Sequence, residues 1–300
     1  MNYAEKLENK SLCIFLFHGV IKNNFGSVRN YNNKHISEEK FFSVITSLLN
    51  EGVALTMDEV AFHLYNKKTF PDKSFTITFD DGFENNFSIA KPILKSLNIP
   101  AIFFLSTNFI DNNTMSWIDR IDYAVDISNG GKIKVPWGEE VFFDDSESKI
   151  ACLENIRKNI KVDKKINCDD FASSVQKQLN LDKFYIGNSE LDLKMNWLQV
   201  KELTKDPLFT IGGHTHNHKV LSYLNEENLK YEVDSSINCI QKNTGIKCKY
   251  YSYPEGQEGH FSTREINYLR EVGITCCPTA INGVNDCHED PFYLRRIFVI

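Results

Sequence analysis

Short apolar runs recur along this chain with helix-forming patterns between them, and that rhythm admits few folds. The runs are Leu12–Phe17, Phe75–Phe79, Ala101–Leu105, Leu208–Ile211, Tyr250–Tyr253, Ile274–Cys277 and Arg296–Ile300. Each has the length of a buried strand and falls well short of a membrane span or a signal-peptide core. Strands alternating with amphipathic helices predict an α/β protein built on a largely parallel sheet.

The helices have readable ends. Ser37 is placed to cap a helix with Glu38 and Glu39 in its first turn and Phe41, Val44, Ile45 and Leu48 on one face, closed by Gly52. Asn225 opens another, striped by Leu229, Val233, Ile237 and Ile240 and ended by Gly245. Ser262 and Glu265 have capping-box spacing ahead of Ile266 and Leu269. Across Asn86–Leu97, Pro92 either kinks a helix or starts its second half. From 112 to 192 the rhythm breaks, with a Gly130-Gly131 pair and charge clusters at 139–149. No Pro/Ser-rich linker bounds this stretch, so the chain reads as one domain over 1–300 with an insertion at 112–192.

A net charge of -6 gives no support to a nucleic-acid partner, which usually requires a basic surface. The eight cysteines show no C-x-x-C spacing, which suits reduced, mostly buried thiols rather than a disulfide framework. With no span or leader in view, the chain is expected to be cytoplasmic, with membrane association left open and no integral membrane segment.

Two constellations carry chemistry. Phe75–Phe79 delivers Asp80 and Asp81 to a strand end, and Gly82 lets the backbone turn. Alone, this is equally compatible with a solvated turn. Two carboxylates this close need a cation if both are to ionise. After a second strand comes His214-Thr215-His216-Asn217-His218. With His214 and His218 four residues apart, one helical turn would put both imidazoles on one side, with His216 facing away. Imidazoles with a carboxylate suit zinc or a similar divalent ion, and three ligands leave positions open for water and substrate. The remaining aspartate is free to take a proton from that water, the machinery of metal-assisted amide or ester hydrolysis.

At these residues the chain resembles the polysaccharide deacetylase family, also known as the NodB-homology or carbohydrate esterase 4 group. Thr78-Phe79-Asp80-Asp81-Gly82 and His214-Thr215-His216-Asn217-His218 match its two hallmarks. The resemblance implies a distorted (β/α) barrel with its site at the C-terminal strand ends. It implies Asp80 as base, with Asp81, His214 and His218 holding one divalent ion, zinc by preference. Tyr253-Pro254-Glu255-Gly256 resembles a third motif, in which the backbone N–H of Glu255 would help bind the oxyanion. Many members carry an arginine two residues before that proline, held against the catalytic aspartate. Here that position is Ser252, a form found in a branch acting on surface-glycan precursors, which leaves open what orients Asp80.

The family's C-terminal Leu-x-His acid is also missing from Tyr293–Ile300. His260, just past the third motif, is the preferred substitute, with His288 or water as alternatives. His18, ending the first run, is a candidate for substrate contact or for tying down its strand. Trp117, Trp197 and Tyr253 are candidates to stack on sugar rings.

The expected activity is removal of the N-acetyl group from an amino sugar in a lipid-linked or nucleotide-linked glycan or oligosaccharide. A non-catalytic sugar-binding barrel and a two-carboxylate glycosidase are the competing readings.

Overall fold

The structure, a computed structural model, describes residues 2–23, 28–160, 165–181 and 189–300. Five parallel strands lie side by side in the order Ile297–Phe298, Leu12–Phe17, Ser74–Phe79, Ala101–Leu105 and Phe209–Gly213. The short Val53–Ala54 pairs beside them with Ser74 and Phe75. Beyond Phe209–Gly213 the ring continues through single bridges, Gly213 to Tyr251 and Tyr250 to Cys276. Backbone bonds Cys277 N–H to Pro291 O, Thr279 N–H to Leu294 O, Arg296 N–H to Ile281 O and Val299 N–H to Leu16 O complete the circuit. The architecture is therefore the distorted (β/α) barrel that the motifs implied.

Tyr250–Tyr253 and Ile274–Cys277 were expected as strands, yet they pair only through these isolated bridges. Both are followed at once by proline, Pro254 and Pro278, which has no N–H to continue a ladder. Close approach here needs glycine: a Cβ on Gly213 would lie 2.4 Å from the Tyr251 ring.

The leading strands are buried on both faces, as parallel strands between two apolar layers must be. Phe15, Phe17, Phe75, Ile77 and Phe79 turn outward to the helices. Leu12, Ile14, Ile102 and Phe104 turn inward, where Met57 and Val60 of the helix Met57–Tyr65 fill the space. By this alternation Asp80 continues the inward row of Thr76 and Thr78 into the mouth of the ring.

Helix ends follow their side chains. Ser37, Asn225 and Ser262 accept backbone N–H bonds at the starts of Glu38–Glu51, Glu226–Thr244 and Thr263–Glu271. Glu265 accepts the Ser262 hydroxyl proton rather than the Ser262 backbone N–H, and Ser262 Oγ caps Arg264 N–H, so a side-chain pair stands where the reciprocal box was expected. Gly52 closes its helix in an extended conformation, φ −141°, and the site needs glycine because a Cβ would meet Lys73 O at 2.3 Å. Pro92 starts a second half: a π-helical turn at Asn86–Ala90 gives way to the α-helix Lys91–Ser96.

Within 112–192 lie the helices Trp117–Ile127, Ser146–Asn159 and Cys168–Gln178 and the hairpin Gly131–Lys134/Glu140–Phe143. They enclose a separate apolar cluster that includes Ile121, Ile133, Phe143, Leu153, Ile156 and Val175. Among the described residues no helix is long and apolar enough to cross a membrane.

Candidate metal and catalytic centre

Asp80 stays in the ladder, donating its N–H to Phe17 O at 3.0 Å. Asp81 and Gly82 then adopt φ +72° and +74°, so the chain reverses and both carboxylates reach one cleft.

The two acids have different neighbours. Arg296 grips Asp80 with both ends of its fork, Nη1 to Oδ1 at 2.9 Å and Nη2 to Oδ2 at 2.8 Å. The guanidinium is fully buried and anchored by Thr279 O and Thr78 Oγ1. Ser252 Oγ adds a 3.3 Å bond to Asp80 Oδ1. Asp81 instead meets Lys34 Nζ at Oδ2, 3.0 Å away. Its Oδ1 is buried without a well-directed hydrogen bond and faces His218 Nε2 at 3.2 Å and His214 Nε2 at 3.6 Å.

Burial alone would push both carboxyl groups upward. For Asp80 the Arg296 and His214 charges and the Arg296 bonds reverse it and hold the group below its ordinary range. For Asp81 the Lys34 and His218 charges reverse it further, leaving it well below. Each acid therefore ionises on the strength of its own cation.

The two histidines meet without a helix. His214 to His218 is an irregular loop in which Thr215 and His218 take φ +62° and +55°. The loop follows its tethers: Thr215 N–H to Tyr251 Oη at 2.9 Å, His216 N–H to Glu232 O, and Asn217 N–H to a Glu232 carboxylate oxygen at 2.7 Å. His216 binds Thr107 Oγ1 at 2.8 Å, outside the cluster.

His214 Nδ1 lies 2.9 Å from Ser252 O. Donating its proton there leaves the Nε2 lone pair aimed at Asp81, the arrangement metal-bound histidines adopt. Burial lowers the His214 pKa. Burial also opposes charge on His218, but Asp81 outweighs it and raises that pKa. One donor atom each from Asp81, His214 and His218 lies within 4.8 Å of the others. An orphaned carboxylate oxygen facing two imidazole nitrogens fits a divalent cation.

The cleft has two compartments. The first, about 350 Å³, is lined by His18, Lys34, Asp80, Asp81, His214 and Arg296. The second, about 340 Å³, is lined by Trp117, Asp169, Asn217, Lys219, Tyr223 and His260. Ser116, His218 and Glu255 border both.

Other expected site residues distribute unevenly. His18 stands in the first compartment, its buried Nδ1 without a hydrogen bond among the described residues, and burial lowers its pKa to about 4. His260 stands in the second compartment, its Nδ1 accepting the Gln257 N–H at 3.2 Å, and does not join the aspartates. His288 is exposed and outside both compartments. Tyr253 borders the cleft, but its buried ring stacks on Phe261 at 4.2 Å and its hydroxyl binds Phe292 O, so it offers no face to a sugar. Trp197 is tied to Asp111 outside both compartments. After Pro254, Glu255 turns the chain at φ +63°.

Sequence reasoning missed Arg296 and Lys34. Arg296 did leave a signal, a cation inside an apolar C-terminal run. A buried arginine there needs a buried acid.

The model of the polysaccharide deacetylase family matches residues 67–132 and 175–277, more than half of the chain. A poly-β-1,6-N-acetyl-D-glucosamine N-deacetylase of Staphylococcus aureus strain MSSA476 is 34% identical over 124 residues, 38% of this chain and 42% of that protein. This chain thus spans about two-fifths of the length of that curated relative. Among solved structures, IcaB from Ammonifex degensii aligns with a TM-score of 0.61 at 18% identity, over 98% of this chain and 94% of that one. The Streptococcus pyogenes deacetylase PplD in complex with acetate aligns at 0.63 and 14%, over 97% and 92%. At these identities the two structures speak for the fold.

Proposed function

The chain belongs to the polysaccharide deacetylase family, and we propose that it hydrolyses the N-acetyl group of N-acetylglucosamine residues in a glycan. The observation that carries this is the pairing of an Arg296-held Asp80 with the Asp81–His214–His218 cluster in one cleft. A divalent ion held by those three residues, zinc by preference, would polarise the acetyl carbonyl and acidify the attacking water.

The chain's own residues supply the rest. Arg296 keeps Asp80 ionised and fixes its plane, so the carboxylate waits as base for the proton of the attacking water. The same low pKa makes the protonated Asp80 a ready donor, and the proton returns from it to the leaving amine. The N–H of Glu255, in its tight turn, is assigned to the developing oxyanion. Neutral His18 orients the acetamido group by a hydrogen bond. The second compartment receives a neighbouring sugar, with Trp117 at its wall.

A two-carboxylate glycosidase needs its acids about 5–9 Å apart across the scissile bond. Here the two acids are chain neighbours that converge on one atom, His214 Nε2, at 3.9 and 3.6 Å, rather than facing each other from opposite walls of the cleft. Acetate release from N-acetylglucosamine oligomers, with and without chelator, tests the proposal. Binding without release would favour the non-catalytic barrel, and new reducing ends would favour the glycosidase. Running lipid-linked, nucleotide-linked and polymeric substrates side by side identifies the carrier.

A further inference from the structure

Lys34 takes no part in the reading above, yet its ammonium meets an oxygen of the proposed ligand Asp81. Its ammonium group donates to both oxygens of Asp119 at 3.1 and 3.3 Å and forms an ion pair with Asp81 Oδ2 at 3.0 Å. It also stands 4.9 Å from the centre of the Phe83 ring. Asp119 is buried in the first turn of Trp117–Ile127, its N–H bonded to Ser116 Oγ. Lys34 lies before the blocks matched by the family model, while Asp119 lies inside the matched block 67–132, in the segment that interrupts the barrel rhythm.

Asp81 is thereby divided. Oδ2 is committed to Lys34, and Oδ1 is left facing the imidazoles of His214 and His218. A carboxylate unrestrained at Oδ2 can rotate and present either oxygen, or both. The pairing with Asp119 matters as much. An ammonium beside a cation site repels the incoming ion, and the Asp119 charge cancels that repulsion.

We propose that Lys34, held by Asp119, is a positioning residue that pins Asp81 as a one-oxygen ligand and so sets the affinity of the centre for its metal ion. The inference rests on the metal reading above. It makes the 112–192 segment part of the metal centre: without Asp119 the pin carries an uncompensated charge, and without Lys34 the ligand is loose.

The test is zinc affinity of the purified full chain, by competition with a chromophoric chelator, together with the visible spectrum of the cobalt-loaded protein. Asp119→Asn and Lys34→Gln are each expected to weaken zinc binding about 10–100-fold, the usual range for partners behind metal ligands. Their cobalt bands should shift as Asp81 moves. The charge-balanced double variant Lys34→Gln/Asp119→Asn should lose no more affinity than the worse single, because the two residues act as one unit. Wild-type affinity and an unshifted spectrum in both folded singles would overturn the proposal. Should the singles be too unstable to purify, the double decides alone: about 10-fold weaker binding supports the pin, and wild-type affinity ends it. A wild-type protein that binds no zinc or cobalt would instead defeat the metal reading itself.

Discussion

The barrel and the 112–192 segment both bury charged side chains, on opposite terms. In the barrel, Asp80 and Arg296 satisfy one another through two short bonds, and the remaining guanidinium donors find Thr279 O and Thr78 Oγ1. Where the segment joins the barrel, Lys34, Asp119, Lys194, Asp122 and Arg157 crowd together and the accounts do not close. Lys194 Nζ lies 3.2 Å from the centre of the Phe83 ring, and among the described residues neither it nor Asp122 Oδ1 has a hydrogen-bond partner. A fully paired buried charge holds a reacting group still. A partly paired one is a liability retained beside the site.

The sharpest break of this contrast is Asp80→Asn, which keeps the shape of the barrel pair and removes its charge. Turnover should fall about 10³–10⁴-fold, with bound zinc unchanged by elemental analysis. Near-normal turnover would move the base elsewhere.

At the junction the expected change is in stability. Burial lowers the Lys194 pKa from 10.5 to about 8. Below pH 8 the lysine is charged in folded and unfolded chains alike, so the full penalty stands, about 3 kcal/mol. Between 8 and 10.5 the folded chain sheds the proton first and the penalty fades; above 10.5 it is gone. Lys194→Met should therefore stabilise the protein at neutral pH by about that amount, with a gain that shrinks as pH rises through this window. Denaturant unfolding of both proteins at several pH values checks it, and a destabilised variant at neutral pH would show that the cation–ring contact outweighs burial.

A smaller effect separates the two candidate histidines. His18 shares a compartment with the aspartates and His260 does not. His18→Ala should lower turnover about 10²-fold, while His260→Ala should act mainly on the binding of longer substrates. If His260→Ala instead abolished the alkaline limb of the pH–rate profile, it would be the acid after all. The least expected effect belongs to Trp117→Ala, a few-fold loss of kcat/KM on oligomers from lost ring stacking, of order 1 kcal/mol, with none on the single sugar.

The parts of this molecule legible in sequence are those governed by local pattern. Leu12–Phe17 and Ala101–Leu105 are strands over the expected residues, since their burial is written into unbroken apolar runs. The strand ends carrying Asp80 and His214 were legible for the same reason. What failed was set by distant partners. The histidine loop is shaped by Glu232 and Tyr251, so four-residue spacing was a poor guide to its geometry. Ser252 stands where an arginine was sought, and the arginine that meets Asp80 arrives from 44 residues further on, at Arg296. Lys34 sits in an irregular Asn-Asn-Lys-His stretch that shows no periodicity.

Three residues of the cleft, Asp81, His218 and Glu255, hold left-handed backbone angles that side chains with a Cβ ordinarily avoid. Each costs on the order of 1 kcal/mol or more, and each keeps a functional group aimed into the cleft. Glycine would adopt these angles freely. His218→Gly thus trades the proposed ligand for relief of the backbone, and an inactive protein of that kind should melt above the active one, whereas Glu255→Gly keeps the N–H assigned to the oxyanion. Selection for thermostability alone, applied to a library of this chain, would therefore enrich variants that have lost Asp81 or His218 and with them the proposed metal ligands.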